Sequence, residues 1–180
     1  EIDDQAKQKI SELISNLKKS DADAKWITEN QMHLTLKFLG NIDESGVQKI
    51  SDALSCVSNN FSSFTVNFSG IGAFPSMNHP AVIWLGVNKG AEFLKMLNEK
   101  IETALEKLDL KKESREFKPH LTLARIRSSK NAPNLVKLIK EIDLNPWNDL
   151  QINRIALLQS ALNPEGAIHT IITEKYLQNI

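Results

Sequence analysis

The sequence predicts an α+β fold of two pseudo-symmetric lobes, and three observations carry that reading. Segments with helical apolar spacing alternate with short segments of strand-like alternation. The tetrapeptide His-Leu-Thr-Leu occurs twice, beginning at His33 and at His120. Helices and strands recur in similar order around each copy, with no low-complexity stretch or long linker between them. We therefore expect a single two-lobed domain over residues 1–180.

Asp3 or Asp4 is placed to cap a helix over roughly 4–19, where Ile10, Leu13, Ile14 and Leu17 fall on one stripe. A turn at Ser20-Asp21 precedes a short strand holding Trp26 and Ile27. Residues 32–39, Met-His-Leu-Thr-Leu-Lys-Phe-Leu, alternate in a strand pattern that Gly40-Asn41 ends. Asp43 or Glu44 opens a helix to about residue 58, carrying Val47, Ile50, Leu54 and Val57. Phe61 to Ile71 reads as a strand. Gly70, Gly72, Pro75 and Pro80 read as loop signals. Ala81 to Val87 is a buried-type strand, followed by a helix over roughly 89–108 with Phe93, Leu94, Leu97, Ile101, Leu105 and Leu108 in register. Residues 119–126 repeat the strand type of 32–39. A helix over about 132–141 follows, then strands at about 151–161 and 167–173 about the turn Asn163-Pro164-Glu165-Gly166.

Composition narrows the function. The 180 residues are 41% hydrophobic and 24% charged, which suits a packed globular chain. Lys plus Arg number 22 and Asp plus Glu number 22. A zero net charge argues against binding nucleic acid through a broad basic face, so any RNA contact belongs in a local cleft. Cys56 is the only cysteine and has no partner for a disulfide, which fits a reducing cytoplasm. No apolar run is long enough to span a bilayer, and no signal peptide is visible. The chain begins at Glu1-Ile2-Asp3-Asp4 without an initiator Met, so an earlier element is expected to have been trimmed.

The chemistry sits in the repeat. Residues i and i+2 of a strand share a face. His33, Thr35 and Lys37 then point one way, while Leu34, Leu36 and Phe38 enter the core. His120 and Thr122 share a face in the same way, opposite Leu121 and Leu123. Two imidazoles across a cleft suit concerted acid–base catalysis near neutral pH, and the two hydroxyls suit donation to an oxyanion. A phosphodiester needs an activated nucleophile, a protonated leaving group and stabilised oxygens, and two His-x-Thr units supply all three without a metal. Such a motif taken alone also serves as an ordinary structural element of a half-buried strand. Parity makes Lys37 a candidate substrate contact, against the ordinary reading of a solvated lysine. Phe74 and Trp84 are candidates to stack a base, although a strand Trp is more commonly core. The four histidines, His33, His79, His120 and His169, show no close zinc-type spacing, so no metal is expected. Cys56 is expected in the core beside Val57.

Trp26 to Gly40, with its His-Leu-Thr-Leu, resembles the first motif region of the two-histidine phosphoesterases, in the branch of RNA 2′,3′-cyclic phosphodiesterases, also named 2′-5′ RNA ligases. Phe117 to Arg125 resembles the second motif. Gly72-Ala73-Phe74-Pro75, Val82 to Gly86, Leu157 to Ser160 and Pro164-Glu165-Gly166 are similar to further landmarks of that family, in the expected order across nearly the whole chain.

The resemblance implies two antiparallel sheets around a central cleft, with helices outside and no cofactor. It implies His33 as proton donor and His120 as proton acceptor, with Thr35 and Thr122 holding phosphate oxygens and Arg125 contacting phosphate. The implied reaction opens a 2′,3′-cyclic phosphate to a 2′-phosphomonoester, and the same residues serve 2′-5′ ligation in reverse. The implied partner is an RNA end or a small cyclic nucleotide, met by a monomer in the cytoplasm. A non-catalytic RNA-end binding module and a cyclic phosphodiesterase for another small nucleotide are the alternatives.

Three departures stand out. The family's first strand is expected to be missing, since the chain starts where a helix begins. Ala81 stands where the family often has Arg, and His169 where it often has Tyr. Simple alternation would also turn Arg125 toward the core, so its place in a cleft requires twist or a bulge.

Overall fold

The computed structural model describes residues 2–144, 147, 149–163 and 166–179. Four helices form where the apolar spacing predicts them. Helix α1 spans Asp4–Lys18 and buries Ile10, Leu13, Ile14 and Leu17. The Asp3 carboxylate caps it by accepting from the Ala6 amide at 2.7 Å, satisfying a donor that the helix start leaves unpaired. Helix α2, Glu44–Ser58, has the same device, with Asp43 accepting from Gly46 at 2.7 Å. Helix α3 spans Ala91–Glu106 and α4 spans Ala132–Glu141. The sides α1 and α4 pack together, as do α2 and α3.

The strands are β1 (Ala24–Trp26), β2 (Phe64–Val66), β3 (Phe68–Ser76), β4 (His79–Val87), β5 (His120–Ile126), β6 (Leu150–Ile152), β7 (Arg154–Asn163) and β8 (Gly166–Tyr176). All named pairings are antiparallel. The chain is thus α+β as expected. Among the described residues, however, the strands form three sheets and not two: a four-stranded sheet in the order β1-β5-β4-β3, and the pairs β2-β6 and β7-β8. Pro164 and Glu165 of the expected turn lie outside the described residues.

The expected single strand over 61–71 divides at Asn67. The Asn67 amide donates to the Lys89 carbonyl at 3.1 Å, and its own carbonyl accepts from Asn88 at 3.0 Å. Its side-chain amide donates to the Trp147 carbonyl. These bonds replace ladder bonds and pass the chain from the β2-β6 pair to the four-stranded sheet.

The glycines and prolines over 70–80 do not make the expected long loop. β3 and β4 continue as a hairpin through most of it, turning at Met77 and Asn78. Gly72 serves close approach instead: a Cβ there would lie 2.1 Å from the Trp84 ring, which crosses its cross-strand partner.

Residues 32–39 make no strand ladder. Side chains of α3 meet this segment instead, with Asn98 Nδ2 donating to the Leu36 carbonyl at 2.8 Å. Without a ladder to hold the pleat, alternation fails toward its end. Phe38, expected in the core, is 79% exposed. Cys56, also expected in the core, is exposed on α2.

The core joins the four-stranded sheet to the helices through Ile83, Leu85, Leu121, Leu123 and Ala124, none of which touches solvent. Burying such side chains contributes roughly 1.5–3 kcal/mol each for the larger ones, which fixes this face of the sheet as the inward one.

Candidate active site

The second His-x-Thr unit lies on β5, where register sets its geometry. His120 pairs with Gly86, Leu121 with Leu85, and Thr122 with Trp84; then the register shifts, and Ala124 pairs with Ile83 and Arg125 with Val82. Leu123 is therefore the extra residue of a β-bulge. A bulge reverses parity beyond it. His120, Thr122 and Arg125 thus share one face with Gly86, Trp84 and Val82, and the buried Leu121, Ala124, Ile83 and Leu85 share the other. The bulge answers the parity problem that the sequence posed for Arg125, whose side chain is exposed on the side of His120. On β1 the partner of Arg125 is Lys25.

Phe74 and Trp84 complete this wall. Phe74 meets His120 edge to face, with ring centroids 5.1 Å apart, and stacks at a tilt on Trp84 at 5.2 Å. Trp84 also lies 6.1 Å from His120. Among the described residues, the buried Trp84 Nε1 atom meets no hydrogen-bond partner.

His120 Nδ1 lies 2.6 Å from the Lys118 carbonyl oxygen. A carbonyl only accepts, so Nδ1 carries the proton. In the neutral ring, Nε2 then holds the lone pair and is the basic nitrogen.

The first unit sits against β8. Burial holds the His33 pKa below the ordinary imidazole value. The nearby His169 lowers it further, and the backbone of Gln31, two residues upstream, partly opposes both. The rings of His33 and His169 meet nearly at right angles, centroids 4.9 Å apart. Gln31 Nε2 donates to the Ala167 carbonyl at 2.9 Å, tying this segment to β8. Thr35 is half-buried on the same stretch of chain.

Lys37 is not where parity placed it. Its ammonium lies 2.6 Å from Glu102 Oε2 on α3 and 2.9 Å from the Lys111 carbonyl. Its side chain is only 6% exposed. Desolvated and paired, this amine is committed to the helix and is not offered to a substrate. The physical reason is again the missing ladder, which frees residue 37 to turn toward α3.

The structure thus gathers His120, Thr122, Arg125, Phe74 and Trp84 on one sheet face, and His33 with His169 and Ser160 at the β7-β8 hairpin. The rings of His33 and His120 do not touch. Sequence reasoning flagged His169 only as a departure and missed Ser160, its cross-strand partner. Alternation within 157–161 was the available signal. Among the described residues, no group of three or more His, Cys, Asp or Glu side chains is arranged to hold a metal ion. An open groove of about 600 Å³ lies elsewhere, between the β3-β4 turn and α4, lined by His79, Ala81, Arg127 and Pro133 among others, and includes neither motif.

Comparison with known proteins agrees with this fold. The profile of the LigT-like phosphoesterases matches twice, over residues 1–84 and 85–169. A protein of Aeropyrum pernix named RNA 2′,3′-cyclic phosphodiesterase is 31% identical over 92% of this chain and 93% of its own. One of Thermotoga maritima with the same name is 32% identical over 97% of this chain and 90% of its own. Among solved structures, a Thermus thermophilus protein superposes with a TM-score of 0.82 at 22% identity, covering 99% of this chain and 94% of that one. LigT of E. coli complexed with 3′-AMP superposes with a TM-score of 0.71 at 18% identity, covering 94% and 91%.

Proposed function

Since the chain belongs to the LigT-like phosphoesterase family, we propose that it hydrolyses RNA 2′,3′-cyclic phosphates with His33 and His120 as its acid–base pair. The observation that carries the reading is the His-x-Thr unit on β5, where the Lys118 carbonyl anchors Nδ1 of His120 and Thr122 shares its face. That bond fixes one nitrogen of the ring and leaves the other for chemistry.

The step balances as follows. His120 Nε2 takes a proton from water as the water oxygen attacks phosphorus. The bond from phosphorus to O3′ breaks, and His33 delivers a proton to O3′. The products are a 2′-phosphomonoester and a 3′-hydroxyl. Thr35 and Thr122 donate hydrogen bonds to the phosphoryl oxygens, whose charge grows in the transition state. A proton on His33 is disfavoured by burial in the free protein, and an anionic phosphate beside it restores that proton.

Arg125 lies four ladder positions from His120 along β4, about 13 Å at strand rise. We assign it to the charge of an adjoining nucleotide. Phe74 and Trp84 offer ring faces beside His120 for a base. The zero net charge supports contacts confined to this face. We also place the protein in the cytoplasm, a reading supported by the unpaired Cys56, and as a monomer, which light scattering tests.

The test is product identity. Incubated with 2′,3′-cyclic nucleotides and with RNA ending in a cyclic phosphate, in excess EDTA, the protein yields 2′-phosphate ends. Binding without turnover across the panel would favour an RNA-end binding module, and turnover of another cyclic nucleotide alone would favour a narrower phosphodiesterase. With a 5′-hydroxyl RNA present, the ratio of hydrolysed to joined product ranks hydrolysis against 2′-5′ ligation.

A further inference from the structure

His169 is the one histidine near the first motif that the reaction above does not use. It sits on β8, where the ladder pairs it with Ser160 of β7. Ser160 Oγ and His169 Nδ1 share a hydrogen bond of 2.9 Å. The other face of the contact is His33, met edge to face at 4.9 Å and 78°. Two residues before each histidine, the chains are also joined, because Gln31 Nε2 donates to the Ala167 carbonyl. The strand bearing His169 is thereby fixed to the segment bearing His33 at two points, one of them ring to ring.

We propose that His169, anchored by Ser160, is a positioning residue for His33: it holds the orientation of that imidazole and couples its protonation to the arrival of an anionic phosphate. This rests on the reading of His33 as proton donor.

The physics is that of two like groups sharing a site. Two imidazolium ions this close repel, so the pair resists carrying two protons at once. A phosphate monoanion against His33 supplies the opposite charge and lets His33 take up its proton as substrate binds. The donor is then armed by the substrate it serves.

Among the described residues, the other groups that touch the pair are few. Ser160 and Gln31, which face it from β7 and from the turn before residue 32, are neutral. On the same face of the hairpin, Glu174 and Arg154 lie 3.2 Å from each other, beyond Leu158 and Ile171. The depressed pKa of His33, caused first by burial and second by His169, agrees with this geometry.

The sign follows from the role. A donor must hold its proton, so the donor's contribution to kcat/KM is fully present below the pKa of His33 in the free enzyme and is lost as pH rises through it. Because that pKa lies below the ordinary imidazole value, the fall comes early. Removing His169 moves it to higher pH.

The test is proton NMR titration of the His33 imidazole in the full chain, with and without inorganic phosphate. The comparison runs across wild type, His169→Phe, His169→Gln, Ser160→Ala and, as a distant control, His79→Gln. In both His169 variants the His33 midpoint should rise by roughly half a unit or more. Phosphate should raise the wild-type midpoint and narrow that difference. Ser160→Ala should give a smaller rise, His79→Gln none, and the alkaline limb of kcat/KM should move with the midpoint. An unmoved His33 midpoint in folded His169→Gln overturns the proposal. A shifted midpoint in a protein that hydrolyses no cyclic phosphate would support the coupling of the two rings and overturn the phosphodiesterase reading on its own.

Discussion

At His120 the tautomer follows from one contact, the 2.6 Å bond from Nδ1 to the Lys118 carbonyl. That bond leaves Nε2 as the basic nitrogen, which suits the acceptor role that family resemblance assigns. Arg125 shows how a single extra residue changes a side chain's function. Strict alternation from His120 sends it into the core, and the bulge at Leu123 returns it to the polar face. Its distance from His120 gives a prediction. Arg125→Ala should leave turnover of a cyclic mononucleotide nearly unchanged, raise KM for a cyclic-phosphate oligonucleotide roughly tenfold, and flatten the salt dependence of oligonucleotide binding by about one unit of slope. Equal losses on both substrates would place the guanidinium on the reacting phosphate instead.

At the scale of elements, the His-x-Thr units were legible because their parity needs only two residues of extended chain. His120 and Thr122 satisfy that on β5. Lys37 and Phe38 were not legible, because parity extends only as far as a ladder enforces it, and residues 32–39 make none. The buried Lys37–Glu102 pair takes over the work of anchoring this segment to α3. Removing one partner of such a pair strands a buried charge. Lys37→Met should therefore lower stability by about 3–5 kcal/mol in urea titration, while Lys37→Met with Glu102→Leu recovers most of it. A single variant within about 1 kcal/mol of wild type would show that the pair is solvated in solution. The glycines misread as a loop have a similar lesson: at Gly72 the missing side chain admits the Trp84 ring, and sequence alone does not distinguish a turn glycine from a packing one.

At the scale of the molecule, the two halves of the sequence do not form separate sheets. β1 comes from the first half and pairs with β5 from the second; β2 likewise pairs with β6. Phe61 and Gln178 bond at 2.9 Å, joining the middle of the chain to its end. The internal repeat was visible as a tetrapeptide, but this exchange of strands depends on long-range pairing that no local pattern encodes. It predicts that unfolding is one cooperative transition, with far-UV circular dichroism and tryptophan fluorescence tracing the same curve. Two separated transitions would mean lobes that fold alone. The central claim concerns the chemistry of the two histidines. His33→Ala and His120→Ala, each shown folded by circular dichroism, are to be assayed for hydrolysis of a 2′,3′-cyclic nucleotide in excess EDTA. Each single loss should lower kcat by at least about 10²- to 10⁴-fold, the usual worth of a general acid or base. Wild-type-like turnover in either variant would contradict the two-histidine mechanism.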